Sequence, residues 1–142
     1  MPMIDVYSAP GTFADKHGLA QRLAATLMEI EQVPDIPMFR SNTAAFVYEL
    51  PDGAISNVDG AGGYVRVQVL TNAGALDRDK QLAVVERFTA IVAEAAGDGA
   101  LAERTWVLLT EAVPGGWGLY GHASTNDELV AAARAEIAKL RG

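Results

Sequence analysis

The chain repeats itself, and that constrains its fold more than any other feature. Ile4 and Val6 recur as Val67 and Val69, about 63 positions further on. Asp15-Lys16 recurs as Asp79-Lys80, and Phe46-Val47-Tyr48-Glu49 as Leu108-Leu109-Thr110-Glu111. The offset drifts by a residue or two and few identities survive, but the order of elements is the same in both halves. Each half reads strand–helix–strand. A right-handed crossover makes each such unit a parallel strand pair under a helix. Two units then pack as a four-stranded mixed sheet with two helices on one face, an α+β fold.

The elements follow from periodicity. Residues 2–7 alternate, with Ile4 and Val6 on one face and Met3, Asp5 and Tyr7 on the other. The first helix is expected over about 14–32, with Leu19, Leu23, Leu27 and Ile30 at helical spacing. Val33-Pro34-Asp35-Ile36-Pro37 ends it, since proline cannot continue the hydrogen-bond ladder. A strand over about 43–50 closes the first repeat, stopped by Pro51. Residues 52–63 carry Gly53, Gly60, Gly62 and Gly63 and read as a flexible linker. The second repeat opens with a strand over 64–70, with Val65, Val67 and Val69 inward and Arg66 and Gln68 opposite. Its helix is expected over about 77–96, with Leu82, Val85, Thr89 and Val92 on one stripe and Val84, Phe88 and Ile91 beside it. That is apolar over more than half the circumference, which points to cover from a sheet on one side and from another subunit on the other. Gly97 stops it. A strand over 105–110 and a glycine-rich loop over 114–121 lead to a last helix over 126–141, for which Asn126 is a candidate N-cap. The expected organisation is one domain over 1–142: pseudo-repeats 2–51 and 64–121, linker 52–63 and the C-terminal helix.

Composition removes several function classes. The net charge of −7 leaves no basic stripe to track phosphates, so no nucleic-acid partner is expected. There is no cysteine, and His17 and His122 lack ligand-spaced partners, so neither a thiol nor a metal centre is expected. The glycines of 52–63 precede a strand and no Lys-Ser or Lys-Thr pair, so they are no phosphate cradle. No signal-peptide pattern and no run of ~18 apolar residues is present, so the expectation is a cytoplasmic protein without membrane contact.

Pro2 is the candidate catalytic residue. A small second residue favours removal of Met1, and Pro2 would then carry a secondary amine. A terminal amine titrates near 7.7–8.0, and an apolar pocket pushes it towards neutrality, where it serves as general base and acid. With Met1 attached the same nitrogen is an amide and is not basic.

The Met-Pro start, the duplication and the stretch Trp106–Gly121, WVLLTEAVPGGWGLYG, together resemble the tautomerase superfamily. The Leu-Thr-Glu and Gly-Trp-Gly-x-x-Gly pieces are its most specific parts, and the length, linker and last helix resemble the fused branch that includes cis-3-chloroacrylic acid dehalogenase. The resemblance covers nearly the whole chain. It implies a homotrimer, no cofactor, and keto–enol tautomerisation of a small 2-oxo or 2-hydroxy acid through Pro2. It also implies that Trp117 walls the active site. The arginines of the dehalogenases fall at Asn72 and Ala75 here, their helix histidine near Leu27, their strand tyrosine at Leu108 or Leu109 and their water-activating glutamate at Leu119, so dehalogenation is not expected. A hydratase-type activity, or a non-catalytic binding or assembly protein on the same scaffold, is the alternative.

The substrate carboxylate needs a cation, and a planar guanidinium holds it by paired hydrogen bonds. Arg66 and Arg40 are the candidates, with an ion pair to Asp5 across a subunit contact the competing reading of Arg66. Asn72 is a candidate to orient a carbonyl, against the reading of a turn asparagine. Tyr120 is a candidate donor to a substrate oxygen, against that of a structural hairpin tyrosine.

Overall fold

The two repeats meet through their first strands. In the computed structural model, which describes residues 1–142, β1 (Met3–Ser8) pairs in parallel with β2 (Ala44–Glu49). Likewise β3 (Val65–Thr71) pairs in parallel with β4 (Thr105–Glu111), and β1 and β3 run antiparallel at the centre. The order β2-β1-β3-β4 is the four-stranded mixed sheet that duplication implies. The helices α1 (Lys16–Glu31) and α3 (Arg78–Ala96) cover one face and pack on each other. Ile4, Val6, Val67 and Val69 of the strands and Leu23, Leu27, Val84, Phe88 and Val92 of the helices are fully buried in the layer between. Period two in the strands and period 3.6 in the helices put these residues on facing surfaces.

Capping sets the helix ends. The Asp15 carboxylate accepts from the Gly18 amide at 2.8 Å, and Asp77 does the same for Lys80 at 2.9 Å. Gly97, at φ 65°, ends α3 in the left-handed conformation. The buried stripe of α3 is Val84, Phe88, Ile91 and Val92, while Leu82 and Val85 of the expected stripe face outward. Of the expected stripe only Val92 is buried, together with Val84, Phe88 and Ile91 beside it.

Four local features refine or depart from expectation. The segment from Val33 does end the first helix as expected, but Pro37 then opens a short unexpected helix, α2 (Pro37–Ser41), because proline suits the first turn, where its missing N–H is not needed. Residues 52–63 are irregular but wrapped on Asn57, whose Oδ1 accepts from the amides of Asp59 at 3.0 Å and Ala61 at 2.9 Å. The glycine-rich loop becomes a hairpin of β5 (Trp117–Leu119) and β6 (His122–Ser124). Its two-residue turn has Tyr120 and Gly121 at φ 53° and 76°, the geometry that matches strand twist. Finally, α4 (Asn126–Arg141) is capped by Thr125 in a reciprocal box with Glu128, whereas Asn126 donates to the Ala73 carbonyl at 2.8 Å.

The sheet face away from the helices is uncovered and apolar. Phe46, Tyr48, Leu70, Trp106 and Leu108 are all exposed. Tyr7 stacks on Tyr48 with ring centroids 4.9 Å apart, and Tyr64 on Trp106 at 4.4 Å. No helix is long and apolar enough to cross a membrane.

Candidate active site

A second, smaller core forms where β1 begins. Met1, 1 % exposed, packs with Ile36, Met38, Trp117, Leu129 and Ala133. These come from the turn after α1, from α2, from β5 and from α4, so the parts outside the duplicated frame meet at the amino terminus. The Met38 amide donates to Glu136 of α4 at 3.3 Å, and the Asn126–Ala73 bond holds α4 to the turn after β3. Pro2 is buried, and its carbonyl accepts from the Ala44 amide at 3.2 Å.

Register explains what lies beside it. Met3 faces Leu70 across the antiparallel pair. One step further sets Pro2 opposite Thr71, and two steps set Met1 opposite Asn72. The Met1 ammonium does donate to Asn72 Oδ1, at 3.3 Å. Pro2 shares the parity of Ile4, Val6 and Ser8, so it lies on the helix-covered side.

Glu31, which sequence reasoning passed over, stands on that side. It is 7 % exposed and accepts from the Thr71 hydroxyl at 2.7 Å. Lys80 Nζ reaches the Glu31 carbonyl oxygen at 3.3 Å. Burial raises the Glu31 carboxyl above its ordinary range, against the Thr71 hydrogen bond, the terminal amine and Lys80. Burial likewise lowers the terminal amine, and Glu31 acts to raise it. The signal was present in the sequence: Glu31 follows Leu27 by four residues and so continues the buried stripe of α1.

The expected site residues divide. Trp117 and Asn72 meet Met1, the neighbour of Pro2, at the amino end of β1. Arg40 is not among them: it is exposed, bonds Asp35 at 2.8 Å, and lines a groove of about 340 Å³ with His17, Gln21 and Thr43 beside the start of β2. The Thr43 hydroxyl in that groove is buried without a partner. Arg66 faces Tyr7, at the other end of β1 from Pro2 and about 17 Å along the strand. Its guanidinium lies 5.4 Å from the Tyr7 ring centre and donates to Gln68 at 3.1 Å within the chain. Tyr120 is 84 % exposed at the hairpin turn, and its hydroxyl accepts from Asn42 at 3.4 Å. No cluster of His, Cys, Asp and Glu has the makings of a metal site.

No protein-family model and no curated protein matches the sequence. Solved structures do. A fused 4-OT symmetric trimer is 15 % identical with a TM-score of 0.71, covering 89 % of this chain and 98 % of its own. A member of the cis-3-chloroacrylic acid dehalogenase family is 18 % identical with a TM-score of 0.70, covering 91 % and 89 %. A malonate semialdehyde decarboxylase is 13 % identical with a TM-score of 0.67, covering 92 % and 98 %. The resemblance to the tautomerase superfamily is thus met in the fold.

Proposed function

We propose that the protein is a cofactor-independent keto–enol tautomerase of small 2-oxo or 2-hydroxy acids, with Pro2 as the proton-transferring group once Met1 is removed. The observation that carries this reading is the sealed amino end of β1, where an apolar wall that includes Trp117 holds the terminal amine below its ordinary range. Removal of Met1 would shift the amine one residue along the strand, still within the buried amino end of β1, and would vacate the space that the methionine side chain fills. That space is apolar on every named side, so it suits the substituent of an enol better than its carboxylate.

The chemistry balances within the site. The neutral amine takes the enol hydroxyl proton as the C–O bond becomes a carbonyl, and returns it to the carbon that was the other end of the double bond. The resulting ammonium would stand opposite Thr71, one residue from Asn72, whose Oδ1 accepts from the Met1 amine before processing. Trp117 keeps water from the amine. For the carboxylate, Arg40 and the unpartnered Thr43 hydroxyl are the contacts this chain offers beside the start of β2. Arg66 would serve only across a subunit contact. Such a contact is part of the proposal: the uncovered aromatic sheet face is the kind of surface that copies of a chain bury, and a fused 4-OT with this fold is a trimer. Tyr120 is assigned to the hairpin.

Replacing Pro2 with Ala should cut turnover of an enol such as phenylenolpyruvate by about 10²-fold or more, the usual yield of one proton-transfer group. Unchanged turnover would refute the mechanism. A second reading rests on Met1 itself: if it stays, it fills its own pocket and blocks the amine, and the chain is a binding or assembly scaffold. Intact mass separates the two, since the enzyme must lack one methionine.

A further inference from the structure

We propose that Glu31 is a positioning residue for the Pro2 amine, an anionic partner set beneath it by Thr71 that steadies the ammonium formed midway through proton transfer. This rests on the reading of Pro2 as the reacting group. A carboxylate that is 7 % exposed needs strong partners, because an ion in an apolar interior is costly unless paired. Its one side-chain bond is to a neutral hydroxyl, Thr71, at 2.7 Å. From α3, Lys80 spends its ammonium on the backbone carbonyl of Glu31 at 3.3 Å. From β3, Thr71 and Asn72 are neutral. Of the two ionic groups that lower the carboxyl, the terminal amine leading into β1 has the larger effect and Lys80 the smaller, and the carboxylate in turn raises the amine.

Register makes the pairing tighter after processing. The Met1 amine sits opposite Asn72. Loss of one residue moves the amine about 3.4 Å along the strand, to the position opposite Thr71. That places it against the hydroxyl that holds Glu31, on the same side of the sheet. An amine in an apolar pocket gives up its proton readily. A buried anion beside it opposes this, so that the ammonium lives long enough to deliver the proton to carbon.

The test is the pH dependence of amine labelling by 1-fluoro-2,4-dinitrobenzene, with the labelled peptide identified by mass. It reads the amine directly and needs no turnover. Glu31→Gln keeps an oxygen for the Thr71 hydroxyl but removes the charge. Its labelling midpoint should move to lower pH, so that labelling at a fixed pH below the wild-type midpoint is several-fold faster. Glu31→Asp keeps the charge at greater reach and should fall between the two, and it serves if Glu31→Gln does not fold. Coincident midpoints in wild type and the folded variant would overturn the proposal, because a merely structural Glu31 would leave the amine untouched. A label found on Met1 in the purified protein would also overturn it. Unchanged turnover in Pro2→Ala sinks the tautomerase and leaves the labelling shift standing, so the two failures are distinguishable.

Discussion

Trp117→Ala and Phe88→Ala separate the two cores of this protein. Both side chains are buried, at 6 % and 0 % exposure. Trp117 belongs to the small cluster around Met1, and Phe88 to the large one between sheet and helices. Truncation of a buried aromatic costs about 3–5 kcal/mol. Trp117 should sit near 3, since a six-residue cluster built from a hairpin and helix surfaces relaxes more readily than a sheet–helix layer. Phe88 should sit near 5. With an unfolding entropy of about 2.1 cal/mol/K per residue, 3 kcal/mol lowers the Tm of a chain this long by about 10 °C, and 5 by about 17 °C. Calorimetry gives these values. The amine gives the discriminating one. If Trp117 walls the amine as proposed, Trp117→Ala should return it towards its ordinary value of 8.0, while the more damaging Phe88→Ala should leave it in place. An amine that titrates identically in wild type and a folded Trp117→Ala would refute the claim that this wall desolvates it.

Other outcomes follow from the same geometry. Burial raises the Glu31 carboxyl above its ordinary 4.5, so the folded state binds that proton more tightly; the stability it contributes is complete below 4.5 and is lost as pH rises through the raised value. Glu31→Gln should therefore flatten the fall in stability between weakly acidic and neutral pH, as denaturant titrations at several pH values would show. Thr125→Ala removes the side-chain half of the capping box of α4, the hydroxyl that accepts from the Glu128 amide, and should cost about 1 kcal/mol, with hydrogen exchange accelerated first in that helix. Tyr48→Lys on the uncovered sheet face should leave the monomer folded and shift sedimentation towards smaller species; an unchanged distribution would count against that face as the contact. Arg22→Ala breaks an exposed ion pair between α1 and α3 at 2.9 Å and should change stability by less than about 1 kcal/mol.

Much of this protein is local in origin. Alternation at Ile4 and Val6 and at Val65, Val67 and Val69 fixes which strand faces are buried. Asp15, Asp77 and Gly97 fix where helices start and stop, and the duplication fixes two parallel pairs. Those are properties of neighbours in sequence, and they carry the fold class and the place of Pro2 at the head of the central strand. The sequence did not say which part of the broad apolar surface of α3 is buried, since Leu82 and Val85 fit the helical period as well as Val84 and Phe88. It also gave no distances between the candidate arginines and Pro2. Only the packed sheet shows that Arg66 stands at the far end of β1 and that Arg40 is tied to Asp35. Glu31 is the sharpest case. Its place four residues after Leu27 was legible, but a carboxylate at a helix end reads as solvated until the antiparallel register of β1 and β3 brings Thr71 and the amino terminus to it. Local periodicity decides which way a side chain points. What it meets there depends on strands about 65 residues apart, and that pairing is settled by the tertiary fold.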